Sequence, residues 1–247
     1  MAKNPVPSAK QVYDSGQRPH PLVEETLALF RYRELIRQFV ARAIKIRYKR
    51  SILGVFWTML NPLLTMLVLT LVFSRLFRFS VENYPVYVLS GLVLWNFFSA
   101  STSAAMSELL WSGSLLQRIY VPKTIFAVSA VGSGLVNLLL SLLPLLLIVL
   151  ISGGKLTPAL LALPIAILFL AIFTLGLGLL LSTAATYFAD TIPVYEVILM
   201  IWLYLTPVFY PADILPDRLA ALLQFNPISV FLTLFRQPIY AGVIPGW

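Results

Sequence analysis

The chain has 247 residues, of which 59% are hydrophobic and only 11% charged, and it carries a formal net charge of +8 at pH 7. A soluble domain has about 25% charged residues, so this balance describes a protein whose solvent is largely hydrocarbon. The absence of cysteine excludes disulfides, thiolate nucleophiles and thiolate metal sites.

Residues 1–21 are polar, include four prolines and lack an apolar core, so they read as a flexible cytoplasmic tail and not as a signal peptide. Over residues 22–48 the side chains sort by helical angle. Leu29, Tyr32, Leu35, Ile36, Phe39, Val40, Ala43, Ile44 and Ile46 fill one half, while Arg31, Glu34, Gln38, Arg42 and Lys45 fill the other. Arg33, Arg37 and Arg47 lie at the margin, where long stems snorkel toward headgroups. With Lys49 and Arg50 they make a basic amphipathic helix suited to the anionic inner leaflet, where each cation contributes about 1 kcal/mol. The positive charge is thereby assigned to the membrane surface and not to nucleic acid. The alternative is a helix packed on a soluble core, for which no soluble segment is long enough.

Uncharged runs then follow at Ser51 to Ser74, Asn83 to Ser107, Thr124 to Gly154, Leu156 to Ala189 and Val197 to Ala212. A crossing needs about 20 apolar residues. The runs therefore predict five spans, at about 51–75, 84–107, 124–151, 157–187 and 193–210, in an all-α polytopic helix bundle. Nothing in them alternates with the period of a barrel strand. Thirteen of the eighteen Lys and Arg fall on one side of this arrangement and five on the other. The cation-rich side is the cytoplasmic one, which places the N-terminus and the Glu108 to Lys123 segment inside and the Ser80 to Tyr84 loop outside.

Ala130 with Gly134, and Gly178 with Ser182, have the spacing that allows close helix contact, without naming a partner. Residues 113–120 favour a short helix ended by Pro122, either a docking element for a cytoplasmic partner or a plain loop. Phe56, Trp57, Trp95, Trp202 and Tyr204 fit two readings, an interfacial belt or a stacking surface for sugar rings. Pro211, Pro216 and Pro227 break the region after Tyr210 into short helices at the outer face, about 212–236. Chemistry has no foothold here. SGGKLTP at Ser152 to Pro158 lacks the phosphate-binding pattern, the single histidine, His20, lies in the tail, and no catalytic motif occurs, so no cofactor or metal is expected in this chain.

Five stretches in order carry a resemblance: IRYKRSILGVFWTMLNPLL (Ile46 to Leu64), YPVYVLSGLVLWNFF (Tyr84 to Phe98), LLQRIYVPKTI (Leu115 to Ile125), LGLGLLLSTAATYFADTIP (Leu175 to Pro193) and TPVFYPADILPDRL to FNPISVF (Thr206 to Phe231). Together they resemble the transmembrane permeases of ABC-2 type polysaccharide exporters, which move lipid-linked O-antigen, capsule or teichoic acid. The resemblance implies a coupling helix at about 113–122, in which Leu115, Leu116, Gln117, Arg118, Ile119, Tyr120, Pro122 and Lys123 face an ATPase. It also implies outer gate helices, two permease copies around a path, and two separate ATPase subunits that hold ATP and magnesium. The expected location is the inner or cytoplasmic membrane of a bacterium. The chain departs from the family pattern at Ala189, where an Arg is usual, and in ending before an expected sixth span.

Overall fold

The computed structural model describes residues 21–49, 52–73, 83–112, 121–214, 216 and 223–243, and among these every regular element is helical. The N-terminal helix is broken in two, α1 (Pro21–Arg31) and α2 (Arg33–Tyr48), by Tyr32 at φ −97° and ψ 16°. Then come α3 (Phe56–Val72), α4 (Tyr84–Trp111), α5 (Thr124–Ile151), α6 (Leu163–Tyr187), α7 (Thr191–Leu205) and α8 (Pro227–Arg236). Among the described residues three helices are long and apolar enough to cross a membrane: α4, α5, and α6 with the 3₁₀ turn that precedes it. At 28 residues each, α4 and α5 are about 42 Å long.

The central helix is α4. Its hydrophobic window is 72% buried inside the protein, against 28% for α5 and for α6. It is also the least apolar of the three, and the two facts have one cause. Hydroxyls and amides cannot face hydrocarbon without partners, so the helix that carries them is enclosed by the others. Ser90, Ser101 and Thr102 are fully buried in it. Thr102 Oγ1 donates to its own helix at Phe98 O (2.9 Å) and accepts from the Tyr195 hydroxyl of α7 (2.8 Å).

Both small-residue pairs are seated on α4. A Cβ at Gly134 of α5 would collide with Ser101 Oγ and lie 3.3 Å from the Phe97 ring, and one at Gly178 of α6 would lie 3.2 Å from the Ala105 Cβ. Gly176, two residues away, has nothing within 4 Å of the same position. Close packing of this kind replaces the hydrophobic drive that lipid does not supply.

Two expected spans are shorter as helices than their uncharged runs. α3 has 17 residues and α7 has 15, about 22 Å for the latter. α3 begins at Phe56 because Gly54, at φ +52°, turns the chain before it, and it runs without interruption through Pro62. α7 ends at Leu205 instead of reaching 210, with Thr206 extended at φ −104°, ψ 134°. Thr206 precedes Pro207, and proline disfavours α geometry in the residue before it.

The non-helical segment after α7 is held by a buried cation. Arg236, at the end of α8 and only 8% exposed, donates from Nη1 to Pro207 O (2.6 Å), from Nη2 to Val208 O (2.8 Å) and Tyr87 O (3.1 Å), and from Nε to Ser90 Oγ (3.3 Å). Its guanidinium lies 3.7 Å over the Tyr87 ring. Burial pushes its pKa down to about 10, which still leaves it protonated at neutral pH. Among the described residues the one ion pair is the exposed Arg37–Glu34 contact at 3.8 Å, so carbonyl dipoles and an aromatic face take the place of a counter-ion. Gly91 makes room for the group, since a Cβ there would collide with Nη2. Among the described residues of the expected outer region 212–236 are a turn at Ala212–Ile214 and α8, which is continued by a π turn to Ala241 and buries Ile228, Leu232 and Phe235; residues 215 and 217–222 lie outside the described residues.

Gly178→Val is expected to destabilise the purified protein by about 1–3 kcal/mol through overpacking, whereas Gly176→Val leaves its thermal unfolding in detergent unchanged. Arg236→Met leaves the Val208 carbonyl unpaired, at about 1–3 kcal/mol, leaves Pro207 O only the Tyr87 hydroxyl at 3.3 Å, and lowers the unfolding temperature. Arg236→Lys recovers only part of the loss, because an ammonium cannot reproduce the planar fork.

Candidate functional site

The functional residues anticipated from sequence fall at the end of the bundle that carries α1 and α2 and along the aromatic faces. At that end α1 and α2 do not lie apart from the bundle. Leu29, Tyr32, Leu35, Ile36 and Phe39 pack on Leu109, Val121, Ile125 and Phe126, with the Phe39 and Phe126 rings stacked at 5.5 Å. Further along, Val40 is 3.1 Å from the position a Cβ would take at Gly132, and the Tyr48 hydroxyl donates to Asn137 Oδ1 (3.0 Å) and also meets the Thr58 hydroxyl. α2 therefore runs beside the first half of α5, its apolar stripe partly covered by protein. The stripe expected at the leaflet surface thus also packs on the apolar ends of α4 and α5.

Arg33, Arg37, Arg42, Lys45, Arg47 and Lys49 remain exposed on α2 and just after it; Arg50 lies outside the described residues. So do Leu115, Leu116, Gln117, Arg118, Ile119 and Tyr120 of the expected coupling segment. Its end is described: Val121 is buried in the inner cluster, Pro122 is half-buried and Lys123 exposed. Thr124, the first residue of α5, donates from Oγ1 to Glu25 Oε2 of α1 at 2.8 Å. Residues 113–120 join α4 to α5 along the chain, and α1 reaches the first residue of α5.

The five aromatics are not brought to one surface. Phe56 and Trp57 are exposed at the start of α3 and Tyr204 is exposed on α7, but Trp95 is 5% exposed, in the core. Trp202 meets Phe98 edge to face at 5.3 Å and donates from Nε1 to Asn226 Oδ1 at 2.8 Å. Trp95 and Trp202 are parts of a packed aromatic interior, occupied by protein contacts, and within this one chain they line no common path with the other three. Asp190 and Glu196 are both exposed at the start of α7.

Sequence reasoning missed two residues. Arg236 was counted only as an outer-side cation. Asn226 was noted only as preceding a proline, yet its side chain caps α8 by accepting from Ile228 N (3.1 Å), accepts from Trp202, and donates to Thr206 Oγ1 (3.0 Å). The pattern Asn-Pro at a helix start was the signal available for the cap. Among the described residues no group of three His, Cys, Asp or Glu side chains could hold a metal.

Comparison with known proteins is consistent with this architecture. The family model described as ABC-2 type transporter matches residues 34–240. An O-antigen export system permease protein of Myxococcus xanthus is 33% identical over 220 residues, which is 88% of this chain and 84% of that protein. A protein of the same description from Klebsiella pneumoniae is 26% identical, covering 81% of this chain and 78% of its own length. The capsule polysaccharide export inner-membrane protein of Neisseria meningitidis is 25% identical, covering 86% of this chain and 81% of its own. The chain belongs to the ABC-2 type transporter family of membrane proteins.

Proposed function

We propose that this chain is the membrane-spanning permease subunit of an ATP-driven exporter that moves a lipid-linked polysaccharide, of the O-antigen or capsule kind, across the bacterial inner membrane. The observation that carries the reading is the 33% identity over 88% of the chain to a protein named for O-antigen export. The relatives are named as permease and export proteins, and in this reading the energy comes from a separate subunit. In this reading two copies of the chain enclose the path, and two separate ATPase subunits bind ATP and magnesium.

The inner geometry supports a route for coupling. Closure of the ATPase pair pushes on residues 115–123, which connect Trp111 of α4 to Thr124 of α5. Because α5 and α6 are seated on α4 at Gly134 and Gly178, the push is shared by a unit instead of bending one helix. α1 and α2 brace the same point from the cytoplasmic side and carry the exposed cations toward anionic headgroups.

Arg118→Ala and Tyr120→Ala are expected to cut surface polysaccharide by at least about tenfold while the amount of inserted permease stays the same, as measured by immunoblot of both. Unchanged export together with unchanged ATPase binding contradicts the coupling role. The orientation is checked by the native lack of cysteine. A single cysteine at Glu82 should react with an impermeant maleimide in spheroplasts, and one at Ser112 only after permeabilisation; the reverse pattern overturns it.

A further inference from the structure

A crevice of about 610 Å³ opens between α3, α4 and α5, and the functional reading above makes no use of it. Its walls include Thr58 and Asn61 of α3, Asn96 and Ser101 of α4, and Ser133 and Asn137 of α5. Asn137 is the fourteenth of the 28 residues of α5, and Asn96 and Ser101 flank the midpoint of α4. The polar walls on α4 and α5 therefore lie near the midpoints of those helices, while Thr58 and Asn61 lie in the first two turns of α3; hydroxyls and amides facing lipid there would have no partners. Ser101 is 1% exposed and its Oγ has no hydrogen-bond partner among the described residues, although it belongs to this lining.

The character of the lining selects the occupant. It holds one charged side chain, Arg47, and no carboxylate, which leaves nothing to bind a cation. An acyl chain would leave the Ser101 hydroxyl and the exposed Asn61 and Asn96 amides without partners. Asn and Ser or Thr side chains both donate and accept, as a polyhydroxyl ring requires, and Trp57, 54% exposed, adds a flat apolar face of the kind on which sugar rings lie. The volume falls within the usual range of small-molecule sites, about 300–1,000 Å³. Resting on the export reading, we propose that this crevice is a subsite for an uncharged glycosyl unit of the lipid-linked glycan, held within one subunit between the end of α2, the first turns of α3 and the middle of α4 and α5. Arg47 is the group placed to meet the phosphate that joins sugar to lipid.

The test uses the full-length permease with its ATPase in phosphatidylethanolamine nanodiscs. The probes are a farnesyl diphosphate-linked disaccharide and farnesyl diphosphate without sugar. The readout is Trp57 quenching, taken as the difference between the native protein and Trp57→Phe. The glycosylated probe should quench saturably and the sugar-free one should not. Asn61→Leu and Asn96→Leu, both at exposed positions and so compatible with folding, should raise the apparent Kd at least about tenfold. Equal quenching by farnesyl diphosphate, or an unchanged Kd in both variants, overturns the subsite. ATP hydrolysis stimulated by the disaccharide probe without a Trp57 response removes the subsite and keeps the export reading, whereas neither response removes both.

Discussion

Everything else in this bundle depends on enclosing the polar face of α4. Lipid offers no hydrogen bonds, so the helix that carries Ser90, Ser101 and Thr102 is turned away from it and enclosed. The enclosure is made at close range, with α5 approaching at Gly134, α6 at Gly178, and Tyr195 of α7 reaching in to bond Thr102. None of these contacts relies on a hydrophobic drive, because lipid tails are as apolar as the side chains they would replace. The gain comes from dispersion at short distance and from hydrogen bonds made where water is absent.

From that hub the two ends of the molecule follow. Inside, α4 and α5 extend beyond their apolar middles and provide the shelf of Leu109, Val121, Ile125 and Phe126 on which α1 and α2 pack. Outside, the first turns of α4 supply Tyr87, Ser90 and Gly91, which receive Arg236. Arg236 in turn satisfies the carbonyls exposed where Pro207 stops α7. Burying a guanidinium is costly unless its donors are used, and here Nε and both terminal nitrogens find oxygen acceptors. The shelf that receives α1 and α2 and the segment fixed by Arg236 are thus connected through a single helix, α4.

The long spans were legible because charge punctuates them: α5 occupies Thr124–Ile151 as expected, following Lys123 and ending before the Ser152 to Lys155 turn. The amphipathic pattern of α2 was legible too, since polar and apolar faces differ sharply there. What covers its apolar face was not, because a stripe suited to lipid is equally suited to the apolar ends of α4 and α5. The same ambiguity hid the partners of Gly134 and Gly178 and the interior placement of Trp95 and Trp202. In a membrane helix, lipid-facing and core-facing positions are both apolar, so periodicity loses its contrast. Arg236 escaped for a different reason. Its partners are main-chain carbonyls of a proline-rich turn and a tyrosine ring about 150 positions away, and main-chain acceptors leave no mark in a sequence.

The central claim is that α4, α5 and α6 form one rigid unit that transmits motion without rearranging. Amide hydrogen exchange of the intact permease–ATPase complex, with and without a non-hydrolysable ATP analogue, tests it directly. The account predicts that the middle of α4 exchanges slowest of all helices in both states, with nucleotide-dependent changes confined to α1, α2, the 113–122 segment and the region after Leu205. Loss of protection around Ala105 and Gly178 when nucleotide binds would contradict it, by showing that the α4–α6 contact opens during the cycle.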